Sequence, residues 1–169
     1  MINMKEQLLA LAAKTAINHY PPYRGSGARV RQISPDFRLV VVELPLNFRT
    51  RNLVGTTFGG SMYTAVDPIY MIMFKKVLGE DYVVWDKAAS IKFLRPGKTT
   101  LTARFVILQQ ELEQIKQLIE DGKPIQRTYR IELRDASGTS CAEVEKLLYF
   151  NKQDPQRKQR IRSLFSRLF

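Results

Sequence analysis

Apolar residues recur along this chain with two different spacings, and the changes of spacing mark its elements. Leu8, Ala12, Ala16 and Tyr20 recur every four positions within residues 3–20, which predicts an amphipathic helix. PPYRGSG (21–27) ends it as a turn-rich linker. ARVRQIS (28–34) and FRLVVVEL (37–44) read as two short strands joined by the turn Ser34-Pro35-Asp36. Further on, YVVWDKAASIKFL (82–94) alternates with period two, placing Val83, Trp85, Ala89, Ile91 and Phe93 on one face and Asp86, Ser90 and Lys92 on the other. The turn Arg95-Pro96-Gly97-Lys98 leads into TTLTARFVIL, where Leu101, Ala103, Phe105 and Ile107 point one way. The period becomes helical in 110–122, with Leu112, Ile115 and Ile119 on one stripe and Gly122 as the C-cap. RTYRIELRD (127–135) and TSCAEVEKLLYF (139–150) flank Ala136-Ser137-Gly138, a good hairpin connection.

The most apolar element lies in the middle, residues 59–78, and reads as one long helix. About six strands around one central helix define an α+β fold, an antiparallel sheet wrapped around that helix. Such a sheet covers one side of the helix. The other side, and the sheet's edge strand, call for a second subunit.

Composition narrows the class. With 169 residues, 44% hydrophobic and 25% charged, the chain is an ordinary globular protein with one domain over 1–150 and a tail over 151–169. A lone Cys141 and a lone His19 leave no internal disulfide and no Cys/His zinc site, and they fit a reducing compartment. The opening residues do not make a signal peptide, and no stretch is apolar enough to cross a bilayer, so a cytoplasmic location is expected. About half of the +11 net charge sits in the tail, where Lys152, Arg157, Lys158, Arg160, Arg162 and Arg167 oppose only Asp154.

Two features of the central segment carry chemistry. Gly59 and Gly60 stand where a helix would begin, so unpaired backbone N–H groups face outward with the helix dipole behind them. With no side chains there, a ligand oxygen can approach closely, as an oxyanion hole requires. The plain alternative is tight packing. Asp67 follows two turns later, with Tyr63 and Thr64 behind it and Tyr70 and Met71 ahead by helical spacing. An ionised carboxylate in so apolar a segment needs a partner. It is either a buried acid bonded to a hydroxyl or to N–H groups freed where Pro68 breaks the helix, or a functional group. Asp86 and Lys87, following Trp85 on the same strand, read as a local charge pair beside the site.

These residues resemble a known pattern. Asn52, Gly55, Thr56, Phe58, Gly59, Gly60 and Asp67 match N-x-x-G-T-x-(H)-G-G with an acid nine residues after the histidine position. That pattern is characteristic of hotdog-fold acyl-CoA thioesterases of the phenylacetate-degradation type. FLRPG (93–97) is similar to that family's strand and turn after the central helix, and DYVVWDKAASIKFLRPG with ELEQIKQLIEDGK resembles a bacterial branch of unknown function. The likeness spans residues 28–150. It implies a hotdog fold whose site forms between two subunits. There, Gly60 would donate to the thioester oxygen, Gly59 would allow close approach, Asp67 would act as nucleophile or general base, and Asn52 would orient the water or the loop. Phe58 occupies the histidine position and Pro68 follows the acid, and both depart from the pattern.

The expectation is a thioesterase acting on acyl-CoA or acyl-ACP, without metal or other cofactor, as a homodimer or a dimer of dimers. Phe58, Gly59 and Tyr63 would line its substrate site, with Arg95 and Lys98 near the phosphates of CoA. The alternative is a non-catalytic binder of acyl or other apolar ligands on the same scaffold, suggested by Phe58 and by Met62, Met71 and Met73. The tail mixes arginines with Ile161, Leu164, Phe165, Leu168 and Phe169 at helical spacing, which suits either a membrane surface or packing on the domain. No zinc-finger, RNP-like or recognition-helix pattern is present, so no nucleic-acid partner is expected.

Overall fold

The structure, a computed structural model, describes residues 3–120 and 123–154. Its elements run α1 (Met4–His19), α2 (Pro21–Gly25), β1 (Arg29–Ile33), β2 (Leu39–Leu44), α3 (Gly59–Val66), α4 (Ile69–Leu78), β3 (Tyr82–Phe93), β4 (Leu101–Val106), α5 (Gln109–Glu120), β5 (Ile125–Arg134) and β6 (Ser140–Lys152). The strands form one six-stranded sheet in the order β1-β2-β4-β5-β6-β3, antiparallel at every step. This is the expected α+β architecture. Its core joins the inward residues of the sheet, such as Val42, Phe105, Val144 and Phe150, to Ala65, Ile69, Met73 and Phe74 of α3 and α4.

Where one face of an element meets the core, period and structure agree. Leu101, Ala103, Phe105 and Ile107 are all buried, as are Leu112, Ile115 and Ile119 of α5. The β5–β6 hairpin turns at Asp135–Thr139, with Gly138 at φ +82°. Met62 and Met73 are ordinary core residues. The expected C-cap Gly122 and the tail from 155 onward lie outside the described residues; β6 itself runs on to Lys152.

Four expectations need correction. The central helix is two helices, interrupted at Asp67–Pro68. Pro68 has no N–H to give the preceding turn, so the hydrogen-bond ladder opens there. The linker 21–27 contains the short helix α2, started by Pro21 and Pro22 at positions where proline is pre-set for helix. In α1, Leu8, Ala12, Ala16 and Tyr20 are exposed, and Ala10 and Ile17 turn inward instead. That helix is apolar on several sides, so spacing alone did not single out the packed face. In β3 a bulge at Lys87 shifts the register: Asp86 pairs with Leu148, and Ala88 with Leu147. One extra residue moves every later side chain to the opposite face, so Asp86 shares the inner face with Ala89, Ile91 and Phe93, while Trp85 stacks outside on Tyr149.

The helix break is supported from outside the helices. Tyr23 of α2, almost fully buried, donates its hydroxyl to the Ala65 carbonyl at 3.1 Å. Burial also pushes the Tyr23 hydroxyl above the ordinary phenol range, so it remains a donor. Tyr23→Phe is therefore expected to cost about 1–2 kcal/mol, the usual cost of leaving a buried carbonyl unsatisfied. Denaturant melts would check it. An unchanged midpoint would mean that the break holds without this bond.

Candidate active site

The loop before α3 is tied down on both sides. Phe58 donates its N–H to the Thr50 carbonyl at 2.7 Å, and Thr57 donates to the Gly97 carbonyl at 2.9 Å. Asn52 holds the tip: its side-chain oxygen accepts from the N–H groups of Val54 and Thr56, and its amide nitrogen donates to the Thr56 hydroxyl. The side chain of Asn52 is thus committed to shaping the loop. Phe58, in extended backbone, precedes the first turn of α3, and no side chain caps that turn. The N–H groups of Gly59, Gly60 and Ser61 open outward at the positive end of the helix.

Both glycines leave room for a neighbouring aromatic ring. A Cβ on Gly59 would lie 2.7 Å from the Phe93 ring, and one on Gly60 would lie 2.4 Å from the Phe58 ring. Those two rings, each more than half exposed, flank the helix start. Beside them runs a groove of about 380 Å³ lined by Thr56, Thr57, Gly59, Met62, Phe93 and Arg95, within the usual range for small-molecule sites. Asn52, Phe58, Gly59 and Arg95 are thereby brought together around the helix start. Lys98 is exposed and outside that lining.

Asp67 lies at the break between α3 and α4. Its carboxylate is 42% exposed, and Oδ1 accepts a 2.6 Å hydrogen bond from Nζ of Lys146 on β6, a side chain with no exposure at all. The same Nζ stands 3.2 Å from Oδ1 of Asp86 on β3 and 5.6 Å from the centre of the Tyr63 ring. Two carboxylates thus share one buried ammonium. Burial alone would lower the pKa of Lys146, but the Asp67 hydrogen bond and the charges of Asp86 and Asp67 outweigh it and hold it above the ordinary lysine range. Burial, only partly offset by Lys146, raises the carboxyl of Asp86. Burial and then the neighbouring Asp67 raise the Tyr63 hydroxyl.

The expected pair between Asp86 and Lys87 does not form. Asp86 turns inward to Lys146, and Lys87, the bulge residue, places its ammonium 5.7 Å from the Tyr149 ring on the outer face. From the sequence, Asp86 falls beside the site but with the wrong partner, and Lys146 is missed, although Lys146 left a signal. It falls in step with Ala142, Val144, Leu148 and Phe150, a lysine in a row of core positions, and so rare an arrangement calls for a buried partner. The inward direction of Asp86 left no signal, because it depends on the bulge.

A family model described as Domain of unknown function (DUF4442) matches residues 10–150. The chain belongs to that family. No curated protein matches the chain in sequence. Among solved structures, a Pseudomonas aeruginosa protein of unknown function with a suggested thioesterase activity is similar at 16% identity, with a TM-score of 0.76 over 85% of this chain and 95% of its own. A candidate thioesterase from Shewanella oneidensis is 19% identical, with a TM-score of 0.65 over 86% of this chain and 99% of its own. A thioesterase from Haemophilus influenzae is 16% identical, with a TM-score of 0.60 over 90% of this chain and 91% of its own. These likenesses show that this DUF4442 chain has the hotdog fold. Among its described residues, no helix is long and apolar enough to cross a membrane.

Proposed function

We propose that this DUF4442 chain hydrolyses acyl thioesters, carried by CoA or by an acyl carrier protein in the cytoplasm, with Asp67 as base or nucleophile. The observation that carries the reading is the setting of Asp67: partly exposed, hydrogen-bonded to Lys146 as well as to Tyr63 of its own helix, and linked through Lys146 to the edge strand β3. Both roles require a carboxylate oxygen within reach of substrate, and Asp67 keeps Oδ2 outside its hydrogen bond to Lys146. The thioester-labelled neighbours on the same fold point the same way.

Within one chain, Gly60 and Asp67 are seven residues apart, about 10 Å along a helix. That is too far for both to meet one carbonyl group. A second copy docked along β3 resolves the distance. The strand is twelve residues long and forms one edge of the sheet, with most of its length exposed. A two-fold contact there would lay the α3–α4 elements of two subunits side by side and bring Gly60 of one toward Asp67 of the other. A monomer by light scattering at micromolar concentration would overturn this arrangement.

In such a site the Gly60 N–H would hold the thioester oxygen. Asp67, as base, would take a proton from water while the oxygen of that water bonds to the carbonyl carbon. Collapse of the tetrahedral oxyanion would break the carbon–sulfur bond, and the thiolate would leave with the proton, giving acid and thiol. Thiol release from a panel of acyl-CoAs, with Asp67→Asn in parallel, tests the reading. Release that is equal in both, or absent from both, would end it.

Phe58 contributes no donor where the family pattern has histidine. Phe58→His is expected to raise the rate by of the order of tenfold or more, by adding a donor to the hole. A kcat that stays the same or falls would remove residue 58 from the site.

A second reading, binding without turnover, has its own observation. Phe48, Leu53, Val54 and Phe58 line an open furrow of about 860 Å³, and Leu53 and Val54 are among the most exposed apolar residues of the chain. Saturable binding of a fatty acyl ligand with no thiol released from any acyl-CoA would favour it.

A further inference from the structure

Away from Asp67 and the helix start, three arginines from three separate elements line one pocket. Arg24 belongs to α2, Arg29 opens β1, and Arg49 sits in the loop that follows β2; Asn18 and Asn47 complete the polar lining. No carboxylate lines the pocket, and among the described residues no salt bridge engages any of the three arginines. Glu43, which faces Arg29 across the strand pair, is taken by Arg31 at 3.1 Å.

The frame that holds these arginines is firmly built. The Asn18 amide clamps both backbone groups of Val30, at 3.0 and 2.7 Å, and so fixes the start of β1 against α1. Gly27 has φ +82°, and a Cβ there would lie 2.2 Å from the Thr50 methyl, so the chain needs glycine at this point. The Thr50 hydroxyl donates to the Pro45 carbonyl at 2.5 Å, and the Asn47 side chain accepts the Arg49 N–H at 2.9 Å. Three arginines carried on this backbone frame, with no carboxylate in the lining, concentrate positive charge at one pocket. A bound anion would balance that charge.

We infer that this pocket binds a phosphate group. Guanidinium forks match phosphate oxygens two at a time, and three of them suit a dianion. The cavity, about 260 Å³, falls just below the range of sites that enclose a whole small molecule, so it takes a terminal phosphate and leaves the rest of the ligand outside. The direction of that remainder is given by Arg49, whose guanidinium carbon lies 5.3 Å from the centre of the Phe48 ring. Phe48 lines the apolar furrow that reaches Phe58. A carrier anchored by its phosphate at the arginines could therefore run along the furrow toward the start of α3. This extension rests on the thioester reading; the phosphate site does not.

Calorimetry tests the site with three probes that carry no acyl group: inorganic pyrophosphate, coenzyme A and dephospho-coenzyme A. The proteins compared are the wild type, the double variant Arg24→Ala/Arg49→Ala, Arg29→Gln, and Arg104→Ala as a control, an exposed arginine on β4 away from the pocket and from the helix start. Phosphate-bearing probes are expected to bind the wild type and Arg104→Ala alike, more weakly as salt rises, and to bind the double variant about tenfold or more weakly. Should the double variant fail to fold, Arg29→Gln carries the same comparison. Coenzyme A binding much more tightly than its dephospho form would identify the carrier's terminal phosphate as the ligand. Equal binding of those two, with pyrophosphate competing, would identify a free anion. Failure of every probe to bind the wild type, or binding by the pocket variants equal to wild type, overturns the proposal. A negative result removes the phosphate site and leaves thioester hydrolysis standing, and loss of hydrolysis alone leaves the phosphate site standing.

Discussion

Asp67→Asn is expected to leave the fold in place and to lower thioester hydrolysis by about a hundred- to ten-thousandfold, the range lost with a general base. The amide has the shape of the carboxylate, and its oxygen can still accept from Lys146 Nζ, now 2.6 Å away. Asp86 remains 3.2 Å from the same ammonium, so the buried charge keeps an ionised partner. Stability should therefore fall by only about 1–2 kcal/mol. The expected kinetic pattern is a loss in kcat with KM little changed, because Asp67 acts on the reacting carbon and not on the bound carrier. A variant that retains wild-type kcat would show that the acid is structural.

Lys146→Met should have the opposite profile, a large loss of stability. Removing the ammonium leaves Asp67 and Asp86 facing each other without a cation. Breaking a fully buried pair costs about 3–5 kcal/mol, and the partial exposure of both carboxylates reduces the expectation to about 2–4 kcal/mol. The effect depends on pH in a specific direction. In the wild type, the folded pKa of Lys146 lies above the unfolded value of about 10.4, so its contribution is fully present below that value and is lost as pH rises through the folded one. Asp86, raised by burial, has the same sign in a lower pH window: its contribution is present below the unfolded carboxyl pKa of about 3.9 and is lost as pH rises through its folded value. Without Lys146 the burial that raises the Asp86 carboxyl loses the ammonium that opposes it, so Asp86 prefers a proton in the folded state more strongly. The variant should therefore regain stability relative to wild type as pH falls from 7 toward 4. Denaturant melts at several pH values check this, and a difference that stays constant with pH would contradict it.

The contrast between these two variants shows how far the sequence could be read. Leu101, Ala103 and Phe105 of β4, and the Leu112, Ile115 and Ile119 stripe of α5, were legible because each element buries one face only, and hydrophobic period reports that directly. The loop at Asn52, the glycine pair and the acid at a helix break were legible because a proline or glycine punctuates each of them. The partner of the acid was not. Asp67 and Lys146 are 79 residues apart, and only the wrapping of β6 against α3 joins them. Asp86 was hidden more deeply, since strict alternation puts it on the outer face and one extra residue at Lys87 turns it inward. The three arginines of the proposed phosphate pocket stand at positions 24, 29 and 49, on α2, on β1 and in the loop after β2, and only the fold brings these separate stretches to one pocket.

The central claim is that each site is shared between two chains, with Gly60 from one and Asp67 from the other. Hybrid dimers test it most directly. Asp67→Asn removes the acid, and Gly60→Pro removes the N–H donor in the first helical turn, where proline fits the backbone once the half-exposed Phe58 ring swings away from its new ring carbons. Each variant alone should be inactive. When the two chains are denatured together and refolded, a hybrid dimer contains one site with both groups intact and one site with neither. Random pairing makes about half the dimers hybrids, each with one of its two sites working, so about a quarter of wild-type activity should return. Recovery of thiol release near that level is the predicted result; a mixture as inactive as its parents, although hybrid dimers have formed, would contradict the account.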